Sequence, residues 1–163
     1  MGNENPATGD EVPDGYTPEE WAEYQSDPVA FCIKQLRSTD SSIRFNAVDI
    51  LRGCAGDAKA AIPALCDLLA EEKVDTIRAQ CAWALQDICE RVDHESAEPA
   101  VGPLAKALHD TNAEVRSLAA SALGAIGKTA KAAKPDLLTA SEDPDPEVRE
   151  AVERALRALQ GEW

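Results

Sequence analysis

Four stretches of the chain carry apolar residues on the same helical stripe. They are counted from Arg44, Arg78, Arg116 and Arg149, each of which follows an Ile or a Val. Three places on stand Ala47, Cys81, Ala119 and Val152; six places on, Ile50, Ala84, Ala122 and Ala155. Seven places on come Leu51, Leu85, Leu123 and Leu156, and ten places on Cys54, Ile88, Ile126 and Leu159. At about 100° per residue these offsets share one side of an α-helix, so the pattern predicts one amphipathic helix in four copies. The four arginines are spaced 34, 38 and 33 residues apart, a period typical of helical repeat arrays. No segment alternates apolar and polar residues long enough to suggest a strand.

A shorter apolar helix precedes each copy and opens at or near a proline: Pro28, Pro63, Pro103 and Pro135. Proline suits the first helical turn, where an N–H would lack a partner anyway. Each repeat therefore reads as helix, polar turn, helix, and stacking the pairs buries stripes that one pair leaves exposed. Ahead of them, Thr17, Pro18 and Glu20 spell a capping box that opens a short helix, on which Trp21 and Tyr24 are placed to cover the end of repeat one. Residues 1–16, polar and rich in Gly, Pro and acids, read as a disordered tail. The expected division is that tail, then a repeat domain over 17–163 with repeats at about 28–62, 63–102, 103–134 and 135–160.

Composition sharpens this picture. Hydrophobic residues make up 44% of the chain and aromatics only 4%, so the core must be built from Ala, Leu, Ile and Val. Alanine favours helices and close packing. The net charge of −14 is uneven: residues 1–33 hold eight acids and no Lys or Arg. Such a balance repels phosphate backbones and anionic membrane surfaces, so neither nucleic acid nor membrane is expected as a partner. No apolar run reaches membrane-span length, and MGNENPATGDEVPDG lacks the regions of a secretory signal, so the expected location is the cytoplasm. Five cysteines (Cys32, Cys54, Cys66, Cys81, Cys89) form no C-x-x-C pair, lie inside apolar patterns and read as reduced core thiols. With only His94 and His109 available, no metal or other cofactor is expected.

DTNAEVRSLAASALGAIG and DPDPEVREAVERALRAL resemble the HEAT repeat, in the short form found in phycobilin lyase subunits and many bacterial scaffold proteins. That pattern runs roughly D-x-x-x-x-V-R-x-x-A-x-x-A-L-x-x-I-G, with a proline opening the next repeat. Repeat one departs from it at Cys54-Ala55, and repeat two lacks the glycine and continues into an insertion, DHESAEPAVG. The resemblance, over about residues 28–160, implies an all-α, right-handed solenoid of four helix pairs behind an N-terminal capping helix. Within it, a His-Glu pair could suggest the di-iron centre of deoxyhypusine hydroxylase, but that needs several such pairs and His94-Glu95 is single. HEAT-like DNA glycosylases present a cationic concave face, which a chain of −14 is ill suited to offer.

Candidate site residues follow from the same alignment. The ladder of Arg44, Arg78, Arg116 and Arg149 reads as structural, with Asp40, Asp75, Asp110 and the Asp143/Asp145 pair in the turns before them to offset a cation at a helix start. Asp145, Pro146 and Glu147 read as N-cap, first-turn proline and first-turn acid rather than a metal or acid–base site. Lys128, Lys131 and Lys134 read as a solvated loop, or as a dock for an acidic segment. Offsets 1, 5 and 8 lie opposite the core stripe, on the side that lines the concave surface in HEAT arrays. They give Phe45, Asp49 and Arg52; Ala79, Trp83 and Gln86; Ser117, Ser121 and Gly124; Glu150, Arg154 and Arg157. Phe45 and Trp83 are either binding anchors on this face or side chains that pack against neighbouring helices.

No Ser/His/Asp set, phosphate-cradling glycine loop or paired catalytic carboxylates stands out. The expected function is a non-catalytic interaction scaffold or adaptor that holds a peptide or protein on its concave surface, as a monomer or within a hetero-complex. The alternative is a phycobilin lyase-like subunit or chromophore chaperone.

Overall fold

The computed structural model describes residues 12, 13 and 15–161, and none of them lies in a strand. Helix α1 (Pro18–Ser26) precedes four helix pairs: α2 (Pro28–Gln35) with α3 (Ser41–Cys54), α4 (Ile62–Glu71) with α5 (Asp75–Cys89), α7 (Val101–Ala107) with α8 (Ala113–Ile126), and α9 (Lys134–Ala140) with α10 (Pro146–Gln160). A one-turn helix, α6 (His94–Ala97), lies between the second and third pairs. The chain is thus an all-α solenoid, as the periodicity predicts.

The core stripe explains the stacking. Ala47, Leu51, Cys81, Ala84, Leu85, Ile88, Ala119, Ala122, Leu123, Ile126, Val152, Ala155 and Leu159 are all buried, while Ile50, Cys54 and Leu156 are half-buried. The second helices of successive pairs pack side by side, α3 on α5, α5 on α8 and α8 on α10, and form one layer. The shorter first helices form the other. Small residues let the second helices approach closely: a methyl at Gly124 would stand 3.2 Å from the Cα of Ala155 across the α8–α10 contact.

The connections between repeats share a device. Ala55–Ala61 and Gly127–Ala133 wind as 3-10 turns into the next first helix. At the end of α8, Gly127 adopts φ 65°, a conformation that suits glycine, and its N–H donates to the Leu123 carbonyl. The insertion of repeat two proves to be the same connection lengthened by a turn. Asp93 caps α6 by accepting from the Ser96 N–H at 2.9 Å, and a 3-10 turn over Glu98–Ala100 then leads into α7.

At the N-terminal end the capping box is present, with the Thr17 hydroxyl accepting from the Glu20 N–H and the Glu20 carboxylate from the Thr17 N–H. Trp21 and Tyr24 stack at 5.3 Å between ring centroids, and Tyr24 meets Phe31 of α2 edge-on at 5.8 Å. Most of the tail expected over 1–16 lies outside the described residues. Within its described part, Val12 is buried and Tyr16 packs against Trp21, Tyr24 and Phe31. Apolar contact with this aromatic cluster carries the packed structure past the Thr17 boundary.

Candidate functional site

Each ladder arginine stands in the first turn of a second helix, and in Arg44, Arg78 and Arg116 the guanidinium is divided between two tasks. One terminal nitrogen donates to carbonyls of the arginine's own turn: Arg44 to Ser38 and Thr39, Arg78 to Glu72, Arg116 to Asp110 and Thr111, Arg149 to Asp143 and Pro144. The remaining fork reaches the turn of the next repeat. Arg44 Nε donates to Glu72 at 2.6 Å. Arg78 grips both oxygens of Asp110 at 2.7 and 2.9 Å, and Arg116 grips both oxygens of Asp143 at the same two distances. Each of these carboxylates also caps its own turn: Glu72 accepts from the Lys73 and Val74 N–H groups, Asp110 from Asn112, and Asp143 from Asp145.

This corrects the sequence-based assignment of acids. Only Asp75 bonds the arginine of its own repeat, Arg78, at 2.9 Å; Glu72, not Asp75, occupies the rung of repeat two. The arginines hold three of these carboxylates below the usual range. For Glu72 and Asp143 the main cause is the hydrogen bond from Arg44 and from Arg116 respectively. For Asp110 burial works upward, and the bonds from Arg78 and the Asn112 N–H outweigh it. The ladder is therefore engaged within the fold rather than displayed as a binding track.

On the opposite side of the second helices the predicted face is only partly open. Ala79 is buried and Phe45 half-buried against the core, so offset 1 is not solvent-facing in the first two repeats. Each second helix is flanked by others, which narrows the open arc below that of an isolated helix. Trp83 is 42% exposed. The Cζ of Arg52 from α3 lies 4.1 Å from its ring centroid. Arg52 also donates to the exposed Asp49 at 2.8 Å and approaches Asp87 of α5 to 3.9 Å. Burial pushes the Asp87 carboxyl up, against the pull of Arg52.

Further along this face, a groove of about 770 Å³ lies across α5, α8 and α10. Gln86, Ser121, Arg154 and Arg157 line it, as does Gly124. Its floor includes Ala155, which the alignment assigned only to packing, together with Ala151 and Ala158. Ser117 is half-buried and lies outside this lining. The structure thus unites Gln86, Ser121, Arg154 and Arg157 in one groove, and Asp49, Arg52 and Trp83 in an adjoining network. Lys128 and Lys131 are exposed on the 3-10 turn before α9, and Lys134 is exposed at the first position of α9. His94 and Glu95 are exposed on α6, and among the described residues no group of three or more His, Cys, Asp or Glu could hold a metal ion.

The profile of the HEAT repeats family matches residues 87–162. Residues 87–162 therefore carry HEAT repeats. No curated protein matches its sequence at a significant level. Among solved structures, an engineered protein is similar at 28% identity and a TM-score of 0.68, over 88% of this chain and 67% of the other. A designed armadillo repeat protein in complex with the peptide (KR)4 superposes with a TM-score of 0.71 at 18% identity, over 86% and 68% of the two chains. The CpcE–CpcF complex of phycocyanin lyase from Nostoc sp. PCC7120 is similar at 25% identity and a TM-score of 0.60, over 82% of this chain and 53% of the other. The chain spans about half the length of that lyase chain. No helix among the described residues is long and apolar enough to cross a membrane.

Proposed function

We propose that this HEAT array is a non-catalytic interaction scaffold that holds a peptide or protein segment on the open face of its second helices. The groove across α5, α8 and α10, next to the exposed Trp83, carries this reading. Its small-residue floor lets a peptide backbone approach closely, while Gln86 and Ser121 offer hydrogen-bonding groups. Trp and Arg are the side chains that most often dominate such contacts. A solenoid of similar shape bears a peptide in its complex, which favours the same use here. The test is a pull-down from the native cell with wild-type and Trp83→Ala protein, followed by affinity measurement on the captured partner. Loss of affinity by about tenfold or more, with little change in Tm, is the expected result. Equal capture by both proteins would refute it.

The likeness to the phycocyanin lyase complex supports a second reading, a lyase-like subunit that handles a bilin. Mixing the protein with free bilin and recording the visible spectrum separates the two. An unshifted spectrum removes the second reading.

A further inference from the structure

The charge of the groove runs against the charge of the molecule. The chain carries a net charge of −14, yet among the described residues the charged ones that line the groove are Arg154 and Arg157 alone. Glu150 and Glu153, one turn N-terminal to each on α10, do not line it. Arg154 approaches Glu150 to 3.5 Å and Arg157 approaches Glu153 to 3.8 Å, with all four side chains more than half exposed. Exposed i,i+4 pairs of this kind are weak and solvent-screened, so each guanidinium can turn to a better acceptor at little cost. This contrasts with the ladder, where every inter-repeat arginine is bound at 2.6 to 2.9 Å to a largely covered carboxylate.

Resting on the scaffold reading above, we infer that the groove takes an acidic segment of a partner protein, with carboxylates on Arg154 and Arg157 and backbone over the Ser121–Gly124–Ala155 floor. The two arginines are three residues apart on one helix, so their guanidinium groups reach the same rim of the groove. Their planar donor forks match carboxylates in geometry as well as sign, as the ladder pairs of this same chain illustrate. The long-range field of the chain repels such a segment while the groove attracts it. Binding therefore selects a partner with few, well-placed acids over a broadly polyanionic one, which excludes nucleic acid by the same logic.

The test pans a displayed library of random peptides against the full chain, then titrates a synthetic enriched peptide by fluorescence anisotropy. Enrichment of Asp and Glu is expected. The Arg154→Gln/Arg157→Gln double variant should weaken binding by about tenfold or more. It keeps side-chain bulk at two exposed positions, and its Tm is checked against wild type. Lys128→Gln/Lys131→Gln should leave affinity within about twofold, because those lysines lie outside the groove. Enrichment of basic or neutral peptides whose binding is lost in Trp83→Ala would overturn the acidic partner and leave the scaffold reading standing. Acidic peptides whose binding depends on the lysines instead of the arginines would also overturn the groove assignment. If nothing is enriched, or binding ignores both the arginine and the Trp83 variants, both readings fail.

Discussion

Replacing Asp110 by Ala tests whether the ladder holds the array together. The substitution removes both oxygens that Arg78 grips at 2.7 and 2.9 Å, and with them the acceptor for the Asn112 N–H at 2.8 Å. The arginine and aspartate side chains are only 10% and 13% exposed, so the guanidinium cannot recover full hydration. It keeps Asp75 at 2.9 Å and the Glu72 carbonyl at 3.1 Å, which partly offset the loss. Breaking one side of a buried pair costs ~3–5 kcal/mol, and the remaining partners put this case at the low end, about 3 kcal/mol. For a chain of this size each kcal/mol moves Tm by ~2–4 °C, so calorimetry should show a fall of about 6–12 °C. Asp75→Ala is the control. Its carboxylate is 56% exposed in an i,i+3 contact with the same arginine, so it should cost about 0.5 kcal/mol or less. If the two variants melt together, the inter-repeat bond is not what stabilises this rung.

Other expectations follow from the same geometry. Gly124→Val places a side chain against the Ala155 backbone at 3.2 Å, and denaturant unfolding should report a loss of ~1–3 kcal/mol from overpacking. Glu72, Asp110 and Asp143 titrate below their unfolded values, so their contribution is complete above the unfolded pKa of about 4. It is lost as pH falls through the folded values, and Tm measured from pH 6 downward should drop below about pH 4; a flat profile would contradict the ladder pairing. Burial pushes the Cys66 and Cys89 thiols up to about 12 and Cys32 to about 11, while Cys54 is raised less and is half-buried. A thiol reagent at pH 8 should therefore label Cys54 first in the native protein, and early labelling of Cys66 or Cys89 would show the core to be open.

The stacked architecture was legible because the chain samples one pattern four times, so a chance stripe in one copy is checked by three others. Partners across the rungs were not. Arg78 has an acid in its own turn, Asp75, and another in the next, Asp110, and a periodic sequence offers both with equal weight. Only the stacking distance decides. The open face was half legible: offsets 5 and 8 supplied Trp83, Gln86, Ser121, Arg154 and Arg157, but offset 1 failed at Ala79 because neighbouring second helices close over it. Ala155, on the groove floor, reads as a packing residue, since a groove floor and a core use the same small side chains. The concavity that distinguishes them exists only once helices are placed side by side.

The three inter-repeat carboxylate bonds lie in the turns within repeats, along one edge of the array. A stack of plates riveted along one side opens like a book, about the riveted edge. Bending that alters the groove should therefore leave the turns in register and be taken up at the other edge, by the 3-10 connections. Wedging at Gly124, where α8 and α10 nearly touch, would splay the pages without pulling the rivets.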